Sequence, residues 1–300
     1  MLKGRRMCAS AGRSSVADPR MRTRLISLAS GSSGNALLVQ HGSVSGLIDC
    51  GIGPNRLRAE LLEVGLRLSD LSFVYITHEH IDHVRAVPAL RKAGVPVVTS
   101  AGTAQAMGLD GSDWLRVKHG ARFECGTIEV SAVRTSHDAA EPLGAVIQLG
   151  EVTAAVFTDM GEWDAVTVDA MSRADVIVVE ANHNIDMLRR GPYPAHLKRR
   201  VLSPVGHLSN EDCGRLTETV RERSGKNPAI YLAHLSETNN TPGQAVSDVA
   251  SFGGWVADGL TPLPRGIALD LLGTPVASRR PAVEVQQPLF STDGLGEPSF

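Results

Sequence analysis

From Arg24 onward the chain alternates short apolar runs with clusters of glycine, serine and proline, the rhythm of buried strands and tight turns. Arg24–Ala29 reads as a strand, Ser30–Gly34 as a turn, and Asn35–Gln40 and Leu47–Asp49 as the next strands. Leu57, Leu61 and Val64 recur at helical spacing, with Gly65 as the C-cap. Phe73–Ile76 is a further buried strand, and Val84, Val87 and Leu90 predict the inner face of one helix after it. Val95–Thr99, Thr127–Val133, Leu143–Leu149, Val152–Phe157, Val176–Glu180 and Ile230–Ala233 are the remaining expected strands. Ser209 with Asp212 forms a capping box that opens a helix carrying Leu216 and Val220; Thr241-Pro242 with Gln244 opens another. Strands on both sides of helices, without strict βαβ alternation, predict an α/β fold of two packed sheets flanked by helices. There is no internal repeat.

The 300 residues, 42% of them hydrophobic, are within reach of one α/β domain or two small ones with a sizeable core. A net charge of −2 supplies no global positive field, so contact with nucleic acid must rest on a local basic patch. Cys8, Cys50, Cys125 and Cys213 are scattered without a CxxC pair, which argues against a disulfide framework and fits a reducing cytoplasm. No apolar run approaches the roughly 20 residues of a membrane span. The first residues are basic but lack the apolar segment of a signal peptide. Residues 1–21 are therefore expected to be a disordered basic tail, or a misassigned start with translation beginning at Met21. Residues 22–273 form the expected folded domain, and residues 274–300, rich in Pro, Ser, Gly and Gln, a loose tail.

The chemistry concentrates after Phe73–Ile76, in Thr77-His78-Glu79-His80-Ile81-Asp82-His83. In a loop leaving a strand, residues two apart can point the same way, so His78 and His80 can grip one cation. Asp82 and His83, at the start of the next helix, can face a second. Imidazole nitrogen and carboxylate oxygen suit zinc or manganese, and iron as well; a two-metal site holds its ions about 3.5–4 Å apart. A loop rich in histidine by chance is improbable in a chain with ten histidines.

Other candidates stand at strand ends: His137 after Val130–Val133, Asp159 after Val156-Phe157-Thr158, and His234 after Tyr231-Leu232-Ala233. Ser136 faces away from its neighbour His137 in an extended segment, which argues against a serine nucleophile. Asp49, ending the Leu47-Ile48 run, reads either as a carboxylate orienting a ligand histidine or as a turn aspartate. His207 precedes the helix opened by Ser209, where backbone N–H groups favour an anion. It can protonate a leaving alkoxide or simply satisfy local backbone groups.

The heptapeptide resembles the HxHxDH motif of the metallo-β-lactamase superfamily, and the later His137, Asp159 and His234 follow in that superfamily's order. An aspartate rather than a cysteine at 159 is closer to its phosphodiesterase and glyoxalase branches. The His-Leu-Ser start at His207, paired with Leu232-Ala233-His234-Leu235-Ser236, resembles the ribonuclease Z-like phosphodiesterases. More specifically, Leu28–Asn35, Glu180–Asn184, Gly206–Asn210 and His234–Asn240 resemble the YycJ/WalJ family, over roughly Arg22 to Gly273. The chain departs at Asn184, where an acidic residue is expected.

The resemblance implies a four-layer αββα sandwich and a dinuclear site with His78, His80 and His137 on one ion. Asp82, His83 and His234 take the other ion, and Asp159 lies between them. It also implies 5′→3′ exonuclease action on DNA, linked to repair, and an association with the operon of an essential cell-wall two-component system. The ions lower the pKa of a bridging water to give the nucleophilic hydroxide. Asp82 or Asp159 takes its proton, and His207 serves the leaving group. Asp49 and Asn239 are expected to orient ligands, and Asn35 and His183 to meet substrate. Tyr193 amid Lys198, Arg199 and Arg200 can stack a base and hold a phosphate backbone, although a solvated helix face explains those charges equally well.

A DNA exonuclease is the first reading. The alternative is a small-molecule hydrolase acting on a cyclic phosphodiester, thioester or lactone at the same site. A regulatory metal-binding protein is disfavoured, because structural zinc needs four ligands and no open position. The sequence leaves protein partners and the metal's identity open.

Overall fold

The computed structural model describes residues 22–111 and 114–273, so the tails expected at 1–21 and 274–300 lie outside the described residues. Two seven-stranded sheets pack face to face. The first holds β1 (Thr23–Ala29), β2 (Ala36–His41), β3 (Val44–Ile48), β4 (Phe73–Tyr75), β5 (Val97–Thr99) and β6 (Trp114–Arg116). The second holds β7 (Arg122–Cys125), β8 (Ile128–Arg134), β9 (Leu143–Leu149) and β10 (Val152–Phe157). It continues with β11 (Val176–Glu180), β12 (Ala229–Ala233) and β13 (Leu260–Pro262). The chain then returns to the first sheet, where β14 (Leu269–Asp270) pairs with β1. Each sheet is mixed. β1 to β3 are antiparallel and β3 to β6 parallel; β7 to β10 are antiparallel and β10 to β13 parallel.

Between the sheets, Leu25, Val39, Phe73 and Tyr75 meet Val130, Ile147, Val156 and Val178. The outer face of the first sheet is covered by α1 (Pro54–Glu63), with α2 (Ile81–Val84) at its end, α3 (Val87–Lys92) and α4 (Ala101–Ala106), through Leu57, Leu61, Leu90 and Ala104. The second sheet carries α5 (Ala165–Met171), α6 (Ile185–Arg190), α7 (Ala195–Val201), α8 (Asn210–Ser224) and α9 (Pro242–Gly253). Of these, α5, α8 and α9 bury Met171, Leu216, Val220 and Val249 against it. Both sheets are thus apolar on both faces, which explains why most strands read as continuous hydrophobic runs rather than alternating ones. This is the expected four-layer αββα sandwich. The caps also form as read: Ser209 Oγ accepts from Asp212 N, and Thr241 Oγ1 from Gln244 N.

The single helix expected after the metal loop is two. Asp82's carbonyl accepts from Asn35 N (2.8 Å), and Ala86 N donates to the Cys50 carbonyl (2.9 Å), so the helical bond between them is diverted at both ends. Pro88, which has no N–H, then starts α3 afresh. The expected strand at Val95–Thr99 is shortened to Val97–Thr99. β6, β7, β13 and β14 are short and lie at or near sheet edges, and no sequence pattern announced them. No helix among the described residues is long and apolar enough to cross a membrane.

Candidate metal centre

The candidate ligands converge because every one follows the C-terminal end of a strand running the same way: β4, β8, β10 and β12, with Asp49 after β3. Open α/β sheets place ligand sites at such ends. Asp49, Asp159 and His234 have φ of 58°, 57° and 54°, and they are the only non-glycine residues with positive φ among the described residues. A left-handed residue turns the chain sharply as it leaves the strand. Asp and His tolerate that region better than most side chains.

His78, His80 and His137 offer ligand atoms that lie within 4.8 Å of one another, and so do Asp82, His83 and His234. Asp159 joins both neighbourhoods, at 2.9 Å from His83 Nε2 and 3.9 Å from His137 Nε2. The hydrogen-bond partners fix the tautomers, because carboxylates and carbonyls only accept. His83 Nδ1 donates to Asp49 Oδ2 (2.7 Å), and His137 Nδ1 donates to the Gly206 carbonyl (3.0 Å). Each Nε2 is thereby left with a lone pair facing the cluster. Asn35 Nδ2 donates towards His83 Nε2 (3.1 Å). His78 Nε2 is buried and makes no hydrogen bond, and the buried Asp159 Oδ2 faces His83 Nε2 at 2.9 Å. Buried lone pairs aimed at one another repel unless a cation lies between them. The donor set therefore fits two divalent ions and does not choose between zinc, manganese and iron.

The electrostatics follow from crowding. Burial pushes the His78 and His137 imidazoles down, favouring the neutral, ligating form. Burial also opposes charge on His234, but Asp159, Asp82 and Glu180 overcome it and raise His234 to about 10. Burial likewise opposes the Asp159 carboxylate, which His234 and His83 nevertheless hold well below the usual range.

Glu180 escaped the sequence reading. It ends β11, is fully buried, and accepts from Met160 N (2.9 Å), Leu208 N (3.2 Å), His207 Nδ1 (2.8 Å) and His234 Nδ1 (2.9 Å). Burial alone would raise its pKa; His207 and His234 hold it down to about 2. The available signal was an acid ending the wholly apolar strand Val176–Val179. With Nδ1 tied to Glu180, His207 has Nε2 free on the cavity side.

A cavity of 340 Å³ opens over the cluster, lined by Asp82, Asp159, His207 and His234 and, at its rim, by Ile81, Tyr193, Leu197 and Arg200. Arg200 is anchored on Asp138 (Nη2 to Oδ1, 3.0 Å). The remaining expected contacts are placed elsewhere. Asn35 is buried between His83 and the Gly31 amide, where it braces the loop instead of meeting substrate. His183 is 1% exposed, lies outside the cavity lining, and is lowered to about 4 by burial, so it sits beneath the site and not in it. Lys198 donates its ammonium to the Arg189 carbonyl at the end of α6 (2.8 Å), and neither it nor the exposed Arg199 lines the cavity. Asn239 bonds Ser236 and abuts Gly191, and makes no hydrogen bond to a candidate ligand.

A family model described as a beta-lactamase superfamily domain matches residues 46–230. Together with the two-sheet architecture this defines the class: the chain belongs to the metallo-β-lactamase superfamily. Its relatives are more specific. The exodeoxyribonuclease YycJ of Bacillus anthracis is 36% identical over 219 residues, covering 71% of this chain and 82% of that protein. The exodeoxyribonuclease WalJ of Streptococcus pneumoniae is 34% identical over 221 residues, covering 71% and 81%. The crystal structure of the metallo-β-lactamase fold protein YhfI from Bacillus subtilis shares the fold, with a TM-score of 0.62 at 18% identity, over 83% of this chain and 99% of that one.

Proposed function

We propose that residues 22–273 form a metal-dependent phosphodiesterase that shortens DNA from the 5′ end in the cytoplasm. The observation that carries this reading is the convergence of two three-residue groups of candidate ligands, with Asp159 approaching one member of each, beneath a cavity with a guanidinium at its rim. His78, His80 and His137 would hold one ion and Asp82, His83 and His234 the other, with Asp159 available to either. Two divalent cations held there would supply an activated water and stabilise charge on a phosphoryl oxygen. Asp49 and Glu180 fix the rings of His83 and His234 through their Nδ1 atoms. Asp82 or Asp159 accepts the proton of the attacking water. Arg200, steadied by Asp138, offers two N–H groups to a non-bridging phosphate oxygen. His207 protonates the leaving oxygen through Nε2, and its link to Glu180 keeps it charged. The two relatives named exodeoxyribonucleases support DNA as the substrate.

The modest cavity, and Lys198 being spent on α6, favour the second reading, a small phosphodiester. Digestion of end-labelled duplex DNA with manganese, beside Asp82→Ala, tests the choice. Shortening from the 5′ end that the variant lacks upholds the nuclease. Intact DNA, with bis-p-nitrophenyl phosphate hydrolysed, moves the function to the small substrate.

A further inference from the structure

Ile81 stands between the candidate ligands His80 and Asp82, yet its side chain is 62% exposed. A single exposed isoleucine needs no explanation by itself. This one lines the same cavity as Tyr193 and Leu197, which the loop after α6 and the start of α7 bring from the other half of the sandwich. The cavity thus has a polar floor of ligands and Arg200, with an apolar and aromatic rim.

The tyrosine is held rigidly. It lies between Pro192 and Pro194, and a residue before proline is confined to extended backbone. Gly191 anchors the same segment: a Cβ there would fall 2.7 Å from both Asn239 Oδ1 and the Met187 carbonyl, so only glycine lets the turn pack this closely. Asn239, buried against Ser236, is the other side of that contact. A backbone constrained in this way lowers the ordering cost of presenting the ring to a flat partner.

Resting on the nuclease reading, we propose that Ile81, Tyr193 and Leu197 form an apolar slot for one nucleobase, that of a nucleotide flanking the scissile phosphate. Arg200 holds the phosphate while the slot holds the base. At 340 Å³ the cavity is near the lower end of ligand sites (~300–1,000 Å³) and admits a single unstacked nucleotide rather than a base pair. Because every base has an apolar face, the slot selects for the presence of a base and not for its identity.

The test uses manganese-loaded full-length protein and 3′-labelled single-stranded oligonucleotides. An abasic residue replaces each of the two nucleotides flanking the 5′-terminal phosphodiester in turn. The wild type is expected to cleave one of the two abasic strands about tenfold more slowly than the intact strand, since stacking contributes about that factor or more per base. Tyr193→Ala and Ile81→Ser should slow the intact strand by a similar factor and erase the abasic penalty, with bound metal unchanged. Tyr193→Phe and Ile81→Val should behave as wild type. Equal rates on intact and abasic strands, or variants that keep the penalty, overturn the slot while leaving the nuclease standing. If the wild type leaves every oligonucleotide and the end-labelled duplex intact but hydrolyses bis-p-nitrophenyl phosphate, the nuclease reading falls and the slot with it.

Discussion

Replacing Glu180 by glutamine preserves its shape and removes its charge from the hub that joins His207 and His234. In the native arrangement Oε1 receives both imidazoles, at 2.8 and 2.9 Å, while Oε2 receives the Met160 and Leu208 amides. The amide substituent can keep the backbone bonds, but it loses the charge assistance to both rings, about 1.5–3 kcal/mol for each bond. His207's pKa lies above its ordinary value, although burial opposes this, because the Glu180 carboxylate faces it. At about 1.4 kcal/mol per pKa unit, the loss lowers it by about 1–2 units. The sign follows from the proposed role: a general acid must be protonated, so the raised pKa extends activity to higher pH. Glu180→Gln should move the alkaline limb of kcat down by about 1–2 pH units, cutting turnover by up to about 10–100-fold on that limb and far less on its acid side. The assay is a pH–rate profile on a labelled oligonucleotide, with metal content measured alongside. An unmoved limb in a variant still holding two ions refutes control of His207 by Glu180.

A Cβ at residue 51 would lie 1.5 Å from the Asp82 carbonyl oxygen, so Gly51→Ala must push the Asp82–His83 turn aside. It should lose one of the two ions and about 3 kcal/mol of stability, seen in metal content and thermal melts. Arg200→Ala should weaken DNA binding about tenfold and reduce its salt slope by about one, whereas Lys198→Ala, whose ammonium serves α6, should change binding less than about twofold. His183 is neutral in the fold because burial lowers it from 6.5 to about 4, so its contribution is intact above pH 6.5 and is lost as pH falls towards 4. Relative to His183→Gln, the wild type should lose about 2–3 kcal/mol of urea-unfolding stability between pH 7.5 and 4.5; parallel losses in the two proteins would contradict this.

The layers and the candidate ligands were legible because both leave local marks. Continuous apolar runs announced the buried strands, and the ligands follow those runs directly or lie in the heptapeptide. What escaped depends on partners distant in sequence. Glu180 looks like any strand terminus until Met160, Leu208, His207 and His234 are brought around it. His183 and Asn35 are polar residues in conspicuous motifs, and nothing local says that the fold closes over them. Lys198 and Arg200 sit two positions apart on one short helix, yet one points to α6 and the other to the cavity. The break between α2 and α3 arises from Asn35 and Cys50, far upstream.

The three left-handed turns at Asp49, Asp159 and His234 bear on when the protein acquires its metal. Each costs about 1 kcal/mol or more and persists only where surrounding structure dictates it. That structure is the pairing of both sheets, including the bond that the His234 amide in the second half donates to Ser30 Oγ in the first (2.9 Å). A growing chain on the ribosome therefore carries the ligand residues long before it carries the grip. Metal capture is therefore expected to follow closure of the sandwich, the reverse of small zinc modules, in which the ion drives folding. Stripping any bound metal should leave the sheets standing.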